Sequence, residues 1–142
     1  MSVRRATAED LPHLLELARR EHARSRFAGE PFDAHWVAQA MRQGVQGMLS
    51  CAFVSEAGFI AGVVQPGMLN RRFTAYEMAW YAEDGAGMKL LAAFTQWARS
   101  MRAVAVQVSN YAAIKDAERF ARAMERAGFE LLGMTFTKRL EG

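Results

Sequence analysis

The stretch Phe73-Thr74-Ala75-Tyr76-Glu77-Met78-Ala79-Trp80-Tyr81-Ala82-Glu83-Asp84-Gly85-Ala86-Gly87-Met88-Lys89-Leu90-Leu91 decides the architecture, because two hydrophobic periods meet inside it. From Phe73 to Tyr81 the composition is that of a strand, and strict alternation places Tyr76, Met78 and Trp80 on one face and Glu77 and Tyr81 on the other. From Met88 the period lengthens, and Met88, Leu90, Leu91, Phe94, Trp97, Ala98 and Met101 form the apolar stripe of a helix of several turns. Glu83-Asp84-Gly85-Ala86-Gly87 is the turn between them. In its plainest reading this is a tight strand-to-helix connection with Glu83 or Asp84 as the cap.

Upstream, Val3-Arg4-Arg5 is a short strand candidate, and Thr7 with Asp10 three residues later forms a capping box that starts a helix. Leu11, Leu14, Leu15, Ala18 and His22 follow helical spacing, with Glu16, Arg19 and Arg20 outward and an end near Arg24. Gly29 and Pro31 punctuate the connection to a second helix, capped by Asp33, running through Trp36, Val37, Ala40 and Met41 and closed by Gly44 and Gly47. Phe27, Phe32 and Trp36 are expected to pack beneath this helical hairpin. Met48 to Ser55 and Phe59 to Val64, joined by Glu56-Ala57-Gly58, read as an antiparallel hairpin.

Downstream, Val104 to Val108 is a buried-strand candidate, Asp116 starts a helix through Phe120, Ala121, Ala123, Met124 and Ala127 that Gly128 ends, and Phe129 to Leu140 is extended with an interruption at Gly133. The order is strand, two helices, three strands, helix, strand, helix, strand. This is a mixed α/β domain spanning 1–142, without repeats.

The 142 residues suit one core, and 51% hydrophobic with 23% charged residues is a globular balance. No uncharged apolar run is long enough for a spanning helix, and the charged start lacks the pattern of a signal peptide, so no membrane partner and a cytoplasmic location are expected. The net charge of +3 is scattered in pairs such as Arg4-Arg5 and Arg71-Arg72 among acids, which disfavours sequence-led nucleic-acid binding. The lone Cys51, inside an apolar run, reads as an inert buried thiol. His13, His22 and His35 lack ligand spacing, so no metal site is expected and His22 completes a helix face. The methionines are spread over core periods and read as adaptable filling.

The element order, the Gly-x-Gly turn at Gly85 and Gly87, the opening Val3-Arg4-Arg5-Ala6-Thr7-Ala8-Glu9-Asp10-Leu11-Pro12 and the stretch Met124-Glu125-Arg126-Ala127-Gly128-Phe129 together resemble the GNAT superfamily of N-acetyltransferases. Ser25-Arg26-Phe27 with Pro31-Phe32-Asp33 is similar to short GNAT-like proteins of phages and prophages. The resemblance implies a mixed central sheet of about six to seven strands flanked by four helices. It further implies that Phe73 to Tyr81 and Val104 to Val108 are neighbouring parallel strands that diverge near the Gly85 turn. It implies acetyl-CoA as acyl donor, with Trp80, Tyr81, Gly85, Ala86, Gly87, Met88 and Lys89 as cofactor-binding residues. A helix N-terminus with glycines favours an anion such as the pyrophosphate on general grounds.

By the same resemblance Glu77 is the candidate base that takes a proton from an acceptor amine. Its plain alternative is a carboxylate paired with an arginine such as Arg72 or Arg102. Met124 stands where the family carries a tyrosine that protonates the departing thiolate, which leaves Tyr111 or Tyr81 for that role. Ala82 stands at the family's Gln or Arg position, and Glu83 and Asp84 bring two carboxylates beside the turn. Three readings stay open: an N-acetyltransferase acting on a small-molecule or protein amine, a GNAT-like interaction or virion-associated domain without acetyl-CoA turnover, and a nucleic-acid module. A homodimer is left open too.

Overall fold

The computed structural model describes residues 2–109, 117–133 and 135–141. The chain divides into two compact units, Met1–Ala112 and Ala113–Gly142. In the first, β1 (Arg4–Arg5) leads through a single 3-10 turn at Ala8–Asp10 into α1 (Leu11–Arg24), followed by α2 (Ala34–Gln46), β2 (Ser50–Ser55), β3 (Gly58–Pro66), β4 (Phe73–Ala82), α3 (Gly87–Ser100) and β5 (Ala105–Gln107). The five strands lie in sequence order in one sheet, antiparallel from β1 to β4, with β5 parallel to β4.

Local chemistry accounts for the boundaries. The Asp10 carboxylate accepts from the Thr7 backbone N–H at 2.8 Å, and Asp33 accepts from Trp36 N at 3.0 Å, so both expected caps are in place. Asp10 also receives the Arg4 guanidinium at 2.7 and 2.8 Å, which with the Thr7 amide holds its carboxyl well below the usual range. The buried stripe of α1 is Leu14, Leu17 and Ala18 with Leu11 packed against it, so the expected stripe through Leu11, Leu14 and Ala18 holds, Leu17 joins it, and Leu15 and His22 are only half-buried. On this phase position i+7 from Leu14 is Glu21.

Leu14, Leu17, Met41, Ala52, Val54 and Phe59 form the core beneath α1 and α2, with Phe32 and Tyr81 packed at its margin. Leu90, Leu91, Phe94, Trp97 and Ala98 are buried on α3, as the spacing predicts. At Gly62 a Cβ would stand 2.5 Å from the Phe94 ring and 2.4 Å from the Tyr76 carbonyl oxygen, so only glycine lets α3 close on β3 there. Cys51 is fully buried, and burial pushes its thiol up to about 12, in keeping with an inert residue.

Three expectations are corrected. Strict alternation along β4 fails at a bulge: Ala61 faces Ala79, Gly62 faces Glu77, and Met78 is the extra residue. Since Val63 opposes Tyr76 and residues 61 and 63 share a face, Tyr76 lies on the face of Ala79 and Tyr81, while Trp80 lies on the other. Trp36 is 69% exposed, because the core face of α2 is marked by Val37 and Met41 and leaves its neighbour outside, whereas Phe32 does pack. The expected buried strand at Val104 to Val108 is a three-residue edge strand with only Val106 half-buried.

In the second unit α4 (Ala117–Arg126) ends as expected at Gly128, whose φ of 91° is left-handed. Gly128 N donates to Glu125 O at 2.9 Å and Phe129 N to Met124 O at 2.9 Å, the paired bonds of a Schellman cap. The described residues after it form no strand, so the sheet holds five strands where six to seven were expected. An extended segment becomes a strand only through a ladder partner, and none pairs with it among the described residues.

Candidate active site

The parallel ladder between β4 and β5 is short: Thr74, Ala75 and Tyr76 oppose Ala105, Val106 and Gln107, and pairing stops there. From Glu77 to Ala82 the β5 side of β4 carries no strand among the described residues. The two runs are therefore parallel neighbours that part before the Gly85 turn, as expected.

Glu77 sits where they part. Its Oε1 accepts from Ser109 N, beyond the end of β5, at 3.1 Å, so this carboxyl bridges the two strands as they separate. Burial pushes it up to about 7; the Ser109 N–H works against that, and the charge of Glu21 adds to it. The alternative pairing with Arg72 or Arg102 does not occur among the described ion pairs. Glu21, on the core face of α1, is pushed up to about 7 by burial, against a hydrogen bond from the Trp80 backbone N–H. The sequence reading missed Glu21. Phasing α1 on Leu14, Leu17 and Ala18 would have placed it on the buried stripe, a position where a carboxylate demands a reason.

The turn into α3 is organised by acids. Asp84 accepts from Ala86 N at 3.1 Å through one oxygen, and from Ser55 Oγ at 2.8 Å and Ala57 N at 2.9 Å through the other. Burial pushes its pKa up, but these donors outweigh that and leave it below its ordinary value. Asp84 thus ties the turn to the β2–β3 hairpin. Glu83 receives Arg20 at 2.9 Å and Arg24 at 3.2 Å, and the Arg20 guanidinium holds it below the usual carboxylate range. Neither carboxylate is left as a bare charge at the helix start.

The first bond of α3 is Leu90 N to Ala86 O at 2.9 Å, so Gly87, Met88 and Lys89 make up its first turn. Gly85 has a φ of 77°, which the turn requires. At Gly87 a Cβ would meet nothing nearer than the Trp80 ring at 3.8 Å, an ordinary contact. Internal packing therefore does not demand glycine there, unlike Gly62. Trp80 donates from Nε1 to Gly87 O at 3.1 Å and braces the turn from the α3 face. Tyr81 faces α1: Arg24 donates to its hydroxyl and lies over its ring at 5.7 Å. Burial raises the Tyr81 phenol, with the nearby Glu83 charge adding to it. Tyr111 lies outside the described residues, as does Asp116. Among the described residues no three His, Cys, Asp or Glu side chains group as a metal site would need, and no helix is long and apolar enough to cross a membrane.

No protein-family profile and no curated protein matches the chain. Solved structures do. A probable acetyltransferase superposes with a TM-score of 0.72 at 20% identity, over 100% of this chain and 99% of the other. AAC(6')-Iy, solved with the bisubstrate analogue CoA-S-monomethyl-acetylneamine, gives 0.70 at 14% identity over 99% and 98%. A ribosomal-protein-alanine N-acetyltransferase from Brucella melitensis biovar Abortus 2308 gives 0.64 at 11% identity over 99% and 100%. The fold is that of the GNAT acetyltransferases. The parting of β4 and β5, the half-buried Glu77 and the start of α3 all belong to the first unit. By contrast, a surface cavity of about 270 Å³ beside Arg4, His13 and Glu56 lies toward the β1 end of the sheet.

Proposed function

We propose that the chain is an N-acetyltransferase that uses acetyl-CoA to acylate an amine. The observation that carries this reading is the half-buried Glu77 carboxyl at the point where β4 and β5 part, pushed up to about 7, on the strand that leads into the Gly85 turn and α3. A group that titrates near neutrality can take a proton and release it again within the physiological range.

The residues present fit an acyl-CoA donor. The amides of Gly87, Met88 and Lys89 and the positive end of α3 would hold its pyrophosphate, with Gly85 shaping the turn and Gly87 allowing close approach. Bound acetyl-CoA supplies the activated acetyl group. Trp80 fixes the turn through Gly87 O, and Asp84 fixes it from the hairpin side. Glu77 accepts the proton of the amine at its carboxylate, which leaves the nitrogen lone pair available. Tyr81 is engaged by Arg24 on the α1 face, so Tyr111 is the better candidate for returning a proton to the departing group. The acceptor is an amine-bearing small molecule or protein; the aminoglycoside and ribosomal-protein acetyltransferases of similar fold indicate which acceptors to screen.

Calorimetric titration of acetyl-CoA tests the reading, with Gly87→Glu as control. Saturable binding that the control abolishes, followed by turnover that Glu77→Gln loses while keeping acetyl-CoA affinity, is the expected result. No binding by folded protein would favour the interaction-domain reading, to which Ala82 and the capture of Ala86 N by Asp84 would then belong.

A further inference from the structure

The end of the sheet away from the Gly85 turn has a surface of its own. There β2 starts, β3 ends and β4 and β5 start, and three loops meet: Leu49 O accepts from Val64 N at 2.8 Å, Gly67 N donates to Arg72 O at 3.1 Å, and Val104 N donates to Phe73 O at 2.8 Å. Each loop carries large apolar side chains into solvent. Met68 is 100% exposed, Leu69 93% and Met48 91%, with Leu49 and Val104 half-exposed behind them. Single exposed apolar residues are ordinary, but a cluster of them on adjoining loops marks an interaction site.

The same end is basic. No Asp or Glu occurs in 34–55, 57–76 or 85–115, the stretches that supply these loops, whereas Arg71, Arg72 and Arg102 stand exposed there. None of the three joins an ion pair among the described residues. Glu9 and Asp10 follow β1, at the sheet edge away from β4, and Asp10 is already taken by Arg4. Arg102 also sits where the backbone resists it. Its φ is 61°, at the left-handed position of a Schellman cap closed by Arg102 N to Arg99 O and Ala103 N to Ala98 O, both at 3.0 Å. At the matching position after α4 the chain uses Gly128. A glycine would stand at 102 without strain, so the fold alone gives no reason for a long cationic side chain.

We propose that this end of the sheet docks on an anionic lipid bilayer, with Met68 and Leu69 entering the acyl boundary and Arg71, Arg72 and Arg102 at the level of the headgroup phosphates. β3 runs two residues past Val64 before the 67–72 turn, so the tip stands about 7 Å ahead of Leu49 at the rise of a strand, a depth that interfacial segments reach. Arg72 lies behind that tip, bonded to Gly67 at the base of the turn. A fluid bilayer accommodates projecting apolar side chains, where a protein partner would need a matching hole. A second copy would set arginine against arginine, and a nucleic acid stacks on aromatic rings, which these loops lack. The contact is made from one side and needs no helix able to cross the membrane, of which there is none among the described residues. It does not depend on the acyl-transfer reading, because Glu77 and the Gly85 turn lie farther along the chain from this end of β4.

Co-sedimentation of the full chain with vesicles of phosphatidylcholine, with and without phosphatidylserine, is the test. Expected is binding that needs phosphatidylserine, falls as salt rises, and weakens about fivefold for each arginine removed in Arg71→Ala and Arg72→Ala. Met68→Ser combined with Leu69→Ser should weaken it about tenfold or more at an unchanged thermal midpoint, because both side chains are exposed in the free chain. Arg102→Gly should weaken binding and yet raise the thermal midpoint, a combination that a structural role for Arg102 would not give. No binding to either vesicle overturns the proposal. Binding that survives the double serine substitution at full strength overturns it as well, since it would be adsorption by charge alone. An RNA duplex or polyglutamate held as tightly as the vesicles would make this a general polyanion surface and overturn the assignment to lipid.

Discussion

At Glu77 the folded chain carries a cost that packing alone would have removed. A carboxyl pushed from its ordinary 4.5 up to about 7 binds a proton more tightly in the native state than in the unfolded one. Its contribution to stability is present below about pH 4.5 and is lost as pH rises through 7, by up to roughly 3 kcal/mol if the whole difference is expressed. Gln at this position keeps the acceptor for Ser109 N and carries no charge. Glu77→Gln should therefore raise the midpoint of thermal unfolding at pH 8, by about 1 kcal/mol or more in stability, while abolishing turnover. A variant that is less stable than the wild type at pH 8 would show that the carboxyl is structural. Gains in stability on removal of a site residue are the mark of strain kept for function.

At the scale of elements, the bulge in β4 sets what faces what. Without the extra residue at Met78, Tyr76 and Trp80 would share a face; with it, Trp80 turns to brace Gly87 and Tyr81 turns to Arg24. Gly62, opposite Glu77 in this irregular register, lets the Phe94 ring and the Tyr76 carbonyl close over β3. Gly62→Ala should cost about 1–3 kcal/mol in a denaturant titration, the usual range for an overpacked core site, and should disturb the site because the same ladder carries Glu77. An unchanged unfolding midpoint would mean that α3 can yield without loss. Alternation in the sequence placed the strand here correctly but could not show the bulge, because the residues on either side of Met78 are all compatible with a sheet and the choice depends on the partner strand.

Over the whole molecule two sets of carboxyls pull the pH dependence in opposite directions. Asp10, Glu83 and Asp84 are held below their ordinary values, so their contribution is present above the unfolded carboxylate range and is lost as pH falls through their native values. Glu21 and Glu77 are raised, so theirs is lost as pH rises toward and through 7. Thermal unfolding should consequently be most resistant near pH 5 and weaken on both sides. A midpoint that rises steadily from pH 5 to 8 would mean that the two half-buried carboxyls are relieved in solution. Glu83 contributes little to the acid limb, since its arginine partners are largely exposed and screened by water.

Periodicity, caps and the turn chemistry of Asp33, Thr7, Gly85 and Gly128 are local properties, and for that reason the element order as far as α4 and the start of α3 could be read directly from the residues. The resemblance carried by those same features pointed to Glu77 and to the GNAT fold before any coordinates. The rest depended on residues distant in the chain. Only packing put Leu17 in place of Leu15 on the buried face of α1 and so brought Glu21 to the strand carrying Glu77, 56 residues later in sequence. Only the folded turn showed Glu83 neutralised by Arg20 and Arg24, and Asp84 spent on Ser55, Ala57 and Ala86, where the sequence displayed two bare acids. Charges act through space and are screened or strengthened by what surrounds them, so their consequences become fixed only when the tertiary structure sets their neighbours.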